Sequence, residues 1–151
     1  MTKDEYDDHI STRKTVEKLI NSKLHAESVS RSFELAGENG CRYRLFLRRN
    51  QVLFESFSVG IDWISPEANI PLCRYNGKHG PTARDEHPSR FHRHQPSWKG
   101  EERAGKDLSN AILDDRFATI EEALTTACEE CRINGMEEHF PHLGQGELHF
   151  E

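Results

Sequence analysis

His92 and His94 stand two residues apart in the segment Arg90-Phe91-His92-Arg93-His94. In an extended strand, residues i and i+2 project from the same face, so the two imidazoles would point one way. Imidazole titrates close to neutral pH, so such a pair can serve as general base and general acid in phosphodiester cleavage. His79 and His87 lie in the same region, with Arg74, Arg84, Arg90, Arg93 and Arg103 around them. Guanidinium groups hold a phosphate through charge-assisted hydrogen bonds and stabilise charge developing on it. In this reading His92 and His94 exchange protons with a 2′-hydroxyl and the leaving oxygen. Arg74 and Arg93 hold the scissile phosphate, and His79 is a third imidazole of the cluster. A metal is the rival reading. His-x-His on a strand offers two ligands, and a catalytic zinc site needs a third, from His79 or Glu101, with His87 as a further member. The bland alternative is a polar loop whose histidines are simply solvated.

Two other constellations compete for attention. Cys128-x-x-Cys131, followed by His139-x-x-His142, has ligand types suited to zinc. Both cysteines, however, fall on the apolar stripe of a well-capped helix, where a buried thiol is an ordinary core residue, and that reading is preferred. Nothing electropositive surrounds them, so thiol catalysis is not expected. Arg42, Arg44 and Arg48 share one face of a strand with Phe46 between them. Such a face suits an RNA backbone with a base stacked on the ring. It equally suits an edge strand protected by charge. No Walker motif, dinucleotide fingerprint or Gly-x-Ser-x-Gly elbow occurs, and no cofactor is expected.

The elements that must position these residues can be read from periodicity. Residues 1–8 are acidic and expected to fray. Val16, Leu19, Ile20 and Leu24 recur at three- and four-residue spacing, which predicts an amphipathic helix from Ile10 that fades at the serines 28, 30 and 32. Residues 41–48 alternate apolar and mostly Arg, the period of a strand buried on one side. Val52–Ile64 and Ile70–Tyr75 read as two more strands, and 90–94 as a short fourth. Residues 76–106 otherwise form a long loop, and a helical turn is expected over 107–113. Thr119 and Glu122 have capping-box spacing ahead of Ile120, Ala123, Leu124, Ala127, Cys128 and Cys131, which predicts a helix stopped by Asn134-Gly135. The expected fold is thus a single α+β domain over 1–151. An antiparallel β-meander of three to four strands is packed by an N-terminal and a C-terminal helix, and residues 136–151 are mobile.

Composition narrows the class. The 151 residues are 34% hydrophobic and 30% charged, so the core must be modest. No run approaches the ~20 apolar residues that span a bilayer. The acidic start Met1-Thr2-Lys3-Asp4-Glu5 does not resemble a signal peptide. Four scattered cysteines fit reduced thiols, and the expected location is the cytoplasm. Residues 41–103 hold eleven Lys/Arg against seven Asp/Glu, and the remainder nine against nineteen, so a basic middle lies between acidic ends. Such asymmetry suits a nucleic-acid or acidic-partner surface, although solvated faces can divide this way by chance.

Arg74-Tyr75-Asn76-Gly77-Lys78-His79-Gly80-Pro81, followed by Phe91-His92-Arg93-His94, resembles the small bacterial toxins of the TumE type. The likeness runs over residues 41–134 in the order of elements. It implies a toxin–antitoxin system, RNA cleavage and a cognate antitoxin as protein partner, with His79, His92 and His94 at the matching positions. The leading expectation is therefore a metal-independent, toxin-like ribonuclease or RNA-directed enzyme. The alternatives are a non-enzymatic protein-binding module of antitoxin-like or inhibitory kind, docking through its acidic ends, and a His-ligated metal hydrolase.

Overall fold

The computed structural model describes residues 1–78, 90–105 and 108–141. In chain order the elements are α1 (Lys3–Ser11), β1 (Lys14–His25), β2 (Ser28–Gly37), β3 (Arg42–Asn50), β4 (Phe57–Ile64), β5 (Asn69–Asn76), β6 (His92–Gln95), β7 (Trp98–Lys99), β8 (Glu102–Arg103), β9 (Asn110–Leu113), α2 (Ile120–Glu130) and β10 (Ile133–Asn134). A 3-10 turn over Met136–Glu138 follows. Eight strands form one sheet in the order β10-β1-β2-β3-β4-β5-β6-β9, and β7 pairs with β8 apart from it. All neighbours are antiparallel except β1 and β10. The expected fold is corrected accordingly: a large mixed sheet dominates, with two short helices, in place of a three- to four-strand meander between two substantial helices.

The error originates in residues 14–25. They form a strand, while the helix lies earlier, over the residues expected to fray. Two bulges explain the misleading spacing. Glu17 and Ile20 are extra residues where the β1–β2 register shifts, so Val16, Leu19 and Leu24 still face Leu35, Phe33 and Val29 on the other strand. A bulge inserts one residue and resets the alternation, which makes a strand imitate helical spacing. The hairpin turn Ala26-Glu27 carries no Gly or Asn, yet Ala26 takes φ 53°, a conformation usually left to those residues. The helix α1 has a complete capping box, Thr2 with Glu5, which stabilises a segment whose charge density hid it. Where a helical turn is expected over 107–113, Asn110–Leu113 form strand β9 instead.

The sheet has one covered face. Phe33, Leu35, Tyr43, Leu45, Leu47, Val59, Ile61 and Tyr75 are fully buried there beneath Ile120, Leu124 and Ala127 of α2. This helix is the one the sequence predicts, with Thr119 as N-cap accepting from the Glu122 N–H. It ends before Asn134-Gly135, because Arg132 takes the left-handed conformation at φ 56°. On the same face α1 is held by the Tyr6 hydroxyl, which donates to the Leu72 carbonyl at 2.9 Å. His9 adds a contact with Trp63 at 4.3 Å between ring centroids.

Lys14 joins the ends of both helices. It is 1% exposed, and its Nζ donates to the carbonyls of Ile10 (3.3 Å), Thr12 (2.8 Å) and Cys131 (2.8 Å). These are carbonyls at and beyond the C-terminal ends of α1 and α2, which lack partners within their own helices. Burial lowers the Lys14 pKa to about 8. The unfolded chain keeps this proton up to about 10.5, so between the two values the unfolded state binds more protons. The contribution of Lys14 to stability is therefore full above 10.5 and is lost as pH falls through 8. Urea unfolding at a series of pH values checks this. The stability of the wild type relative to Lys14→Met should rise across that window, and a flat difference would refute the assignment.

Candidate functional site

The opposite face of the sheet is built by alternation. On β2 to β6, alternate residues point outward, and pairing sets them in rows. One row crosses the sheet as Asn21, Ser32, Phe46, Gly60, Arg74, His94 and Ala111. The next runs Lys23, Ser30, Arg48, Ser58, Asn76, His92 and Leu113. Between them lies a groove of about 1210 Å³. Its charged and ionisable walls are Lys23, Arg44, Arg48, Arg74 and His94, its hydroxyls come from serines 28, 30, 32, 56, 58 and 109, and no carboxylate lines it among the described residues.

Phe46 lies at the centre. A Cβ on Gly60 would stand 2.2 Å from its Cε1, so the ring can lie across β4 only because Gly60 has none. The Arg74 and Arg44 guanidinium carbons sit 5.1 and 5.4 Å from the ring centroid. Arg44 also donates to Ser32 Oγ at 2.9 Å and to Asp62 at 3.4 Å. Asp62 supplies a counter-charge to both arginines. Burial raises its pKa, against the pull of Arg44 and Arg74. Burial lowers that of Arg74, and repulsion from Arg48 and Arg44 adds to the shift while Asp62 opposes it. The Nε of Arg74 is buried and has no hydrogen-bond partner among the described residues. Like charges crowded in a partly desolvated groove are an arrangement that a bound polyanion relieves.

The residues singled out from the sequence divide between the two faces. Arg44, Arg48, Arg74 and His94 converge on the groove. Arg42 projects from the same face but is held at the rim by Glu17 and Glu34. His92 shares the face with His94, their ring centroids 4.9 Å apart, but His92 is fully buried, with Nδ1 2.6 Å from the Arg90 carbonyl. The acid–base pair expected from spacing is thus not presented to the groove as a pair. His94 lines it, with Nδ1 3.1 Å from the Leu108 carbonyl.

Arg93 alternates to the covered face, as its place between two histidines dictates. Its Nε donates to Glu130 Oε1 at 2.6 Å, and it also bonds Gln95. Burial works against its charge, and the acidic groups around it, Glu130 among them, more than offset this. It braces β6 to α2 and does not meet Arg74. His79, His87 and Arg84 lie outside the described residues. Glu101 belongs to the β7–β8 turn, where its carbonyl accepts from Lys3 N.

The cysteine motif separates as well. The Cys131 sulfur meets that of Cys73 on β5 at 3.7 Å, both fully buried, while His139 packs edge-on against Phe33. Burial pushes the Cys128 thiol up to about 12. His142 lies outside the described residues, and among those described no group of three His, Cys, Asp or Glu side chains is placed to hold a metal.

Sequence reasoning missed the contribution of the β1–β2 hairpin: Asn21, Lys23 and serines 28, 30 and 32. The signal was present, since the serines at 28, 30 and 32 have period two, that of a polar strand face. The described helices include none long and apolar enough to cross a membrane. No protein-family model, curated protein or solved structure matches the chain.

Proposed function

We propose that the protein binds RNA along the open face of its sheet. The observation that carries this reading is the groove itself: three arginines and a lysine, with no lining carboxylate among the described residues, interleaved with serine hydroxyls and the rings of Phe46 and Phe57. Phosphate contacts of this kind supply most of the affinity for nucleic acid, and hydroxyls and amides add hydrogen bonds to backbone and sugar. The resemblance to TumE-type toxins points to the same polymer and to a cognate antitoxin as protein partner.

A second reading adds metal-independent cleavage. It is favoured by the cross-strand pair Arg74–His94 in the groove. There Arg74 would neutralise charge developing at the phosphate while His94 takes the 2′-hydroxyl proton; the 2′-oxygen bonds to phosphorus, the bond to the 5′-oxygen breaks, and that oxygen leaves with a proton from water. This assigns the work to one histidine and leaves His92 as the buried support behind it.

Purified protein incubated with labelled RNA, with and without EDTA, tests both. Binding by wild type, with cleavage that resists EDTA and falls at least a hundredfold in His94→Ala, is the expected result, ~10²–10⁴-fold being the usual contribution of a general base. Binding without cleavage would leave an RNA-binding module. A folded protein that binds no RNA at low salt would end the proposal.

A further inference from the structure

We infer that Phe46 is a base-stacking subsite and that the groove therefore selects an unpaired strand. This rests on the RNA reading above and specifies the form of RNA. The ring stands in the same row as Arg74 and His94, separated from His94 by three strand spacings, about 14 Å. A phosphate held by Arg74 thus falls between the ring and the histidine, and the base of a neighbouring nucleotide reaches Phe46.

Three observations separate this ring from an ordinary core aromatic. It belongs to the open face, whereas the apolar residues flanking it, Leu45 and Leu47, are both fully buried on the other. It lines the groove. Two guanidinium groups, those of Arg44 and Arg74, stand 5.4 and 5.1 Å from its ring centroid. Guanidinium and nucleobase compete for the same aromatic surface, since both are planar and both stack. A base arriving on Phe46 displaces a guanidinium that is then free to meet the adjoining phosphate. A duplex cannot make this exchange, because its bases are stacked on one another and paired.

Gly60 completes the device. With no side chain at that position the ring lies close against β4 while still lining the groove. An alanine at Gly60 would force the ring to shift, since its far edge is what the new methyl would meet.

The test compares wild type, Phe46→Leu and Gly60→Ala for binding of a short labelled single-stranded RNA and of its duplex, with thermal unfolding as a check on folding. Phe46→Trp provides a fluorescence signal at the site itself. The expected result is tighter binding of the single strand by wild type and a loss of about tenfold in Phe46→Leu, with duplex binding unchanged. Gly60→Ala should fall between them, and emission from the introduced tryptophan should be quenched by the single strand. Equal single-strand affinity in wild type and a folded Phe46→Leu, with no quenching of the tryptophan, would overturn the inference while leaving RNA binding intact. Failure of wild type to bind either RNA would instead remove the reading on which it rests.

Discussion

Replacing Arg48 and Arg74 together by alanine should weaken RNA binding by about a hundredfold at low salt, roughly tenfold for each charge-assisted hydrogen bond removed. The salt dependence should change with it. Each phosphate neutralised on a single strand contributes about 0.7 to the slope of log affinity against log salt, so the double variant should flatten it by about 1.4. The two residues are chosen because they line the groove from adjacent rows on β3 and β5 and make few bonds that the fold needs. Arg44 is less suitable, since it also holds Ser32 and Asp62. Arg42 is the control. It carries the same charge on the same strand, but Glu17 and Glu34 already occupy it, so Arg42→Ala should change affinity by less than about threefold. If Arg42→Ala weakened binding as much as the double variant, a diffuse charge effect would explain the data and the groove would lose its special role.

Glu130→Ala should lower stability by about 3 kcal/mol, or on the order of 10 °C in melting temperature. Glu130 is where three elements meet. One oxygen accepts from Arg93 Nε and from the Tyr75 hydroxyl, each at 2.6 Å, and the other accepts from Arg116 at 2.8 Å. Without it, Arg93 remains charged in a site where its side chain is only 11% exposed, which is the costly way to break a buried pair. Glu130→Gln keeps an acceptor oxygen and should cost about 1 kcal/mol. The carboxylate also sets a pH dependence. Burial raises its pKa, but hydrogen bonds from Tyr75 and Arg116 and the charges of Arg93 and Arg116 more than reverse this, and the net shift is below 4.5. Its stabilisation is complete above the unfolded value of 4.5 and disappears as pH falls through the lower folded value. Denaturant unfolding of wild type and Glu130→Gln between neutral and acid pH reads this directly. Parallel curves for the two would show that Glu130 is not the acid-labile group.

The same bridge connects the two faces of the protein. Tyr75 and Arg93 point into the core beside Glu130, and their chain neighbours Arg74 and His94 point into the groove. A charge network on the covered face thereby fixes the strands β5 and β6 that carry the groove residues, which spacing along the sequence does not reveal.

The sequence alone determined the parts that depend on local periodicity. Strict alternation in residues 42–48 set Arg42, Arg44, Phe46 and Arg48 on one face and Tyr43, Leu45 and Leu47 on the other, and the structure keeps that division. Helix α2 was legible because an N-cap and an apolar stripe coincide in it. Tertiary structure decided the rest. Bulges at Glu17 and Ile20 turned an apparent helix into the long strand β1, since a bulge is specified by the partner strand and not by the residues within it. Pairing register, which depends on strands far apart in the chain, placed Arg74 between Gly60 and His94 and so gathered one row of the groove. The same alternation that brought His92 and His94 to one face sent Arg93 to the other. Burial, which only the packed sheet defines, then enclosed His92 and left His94 at the groove wall.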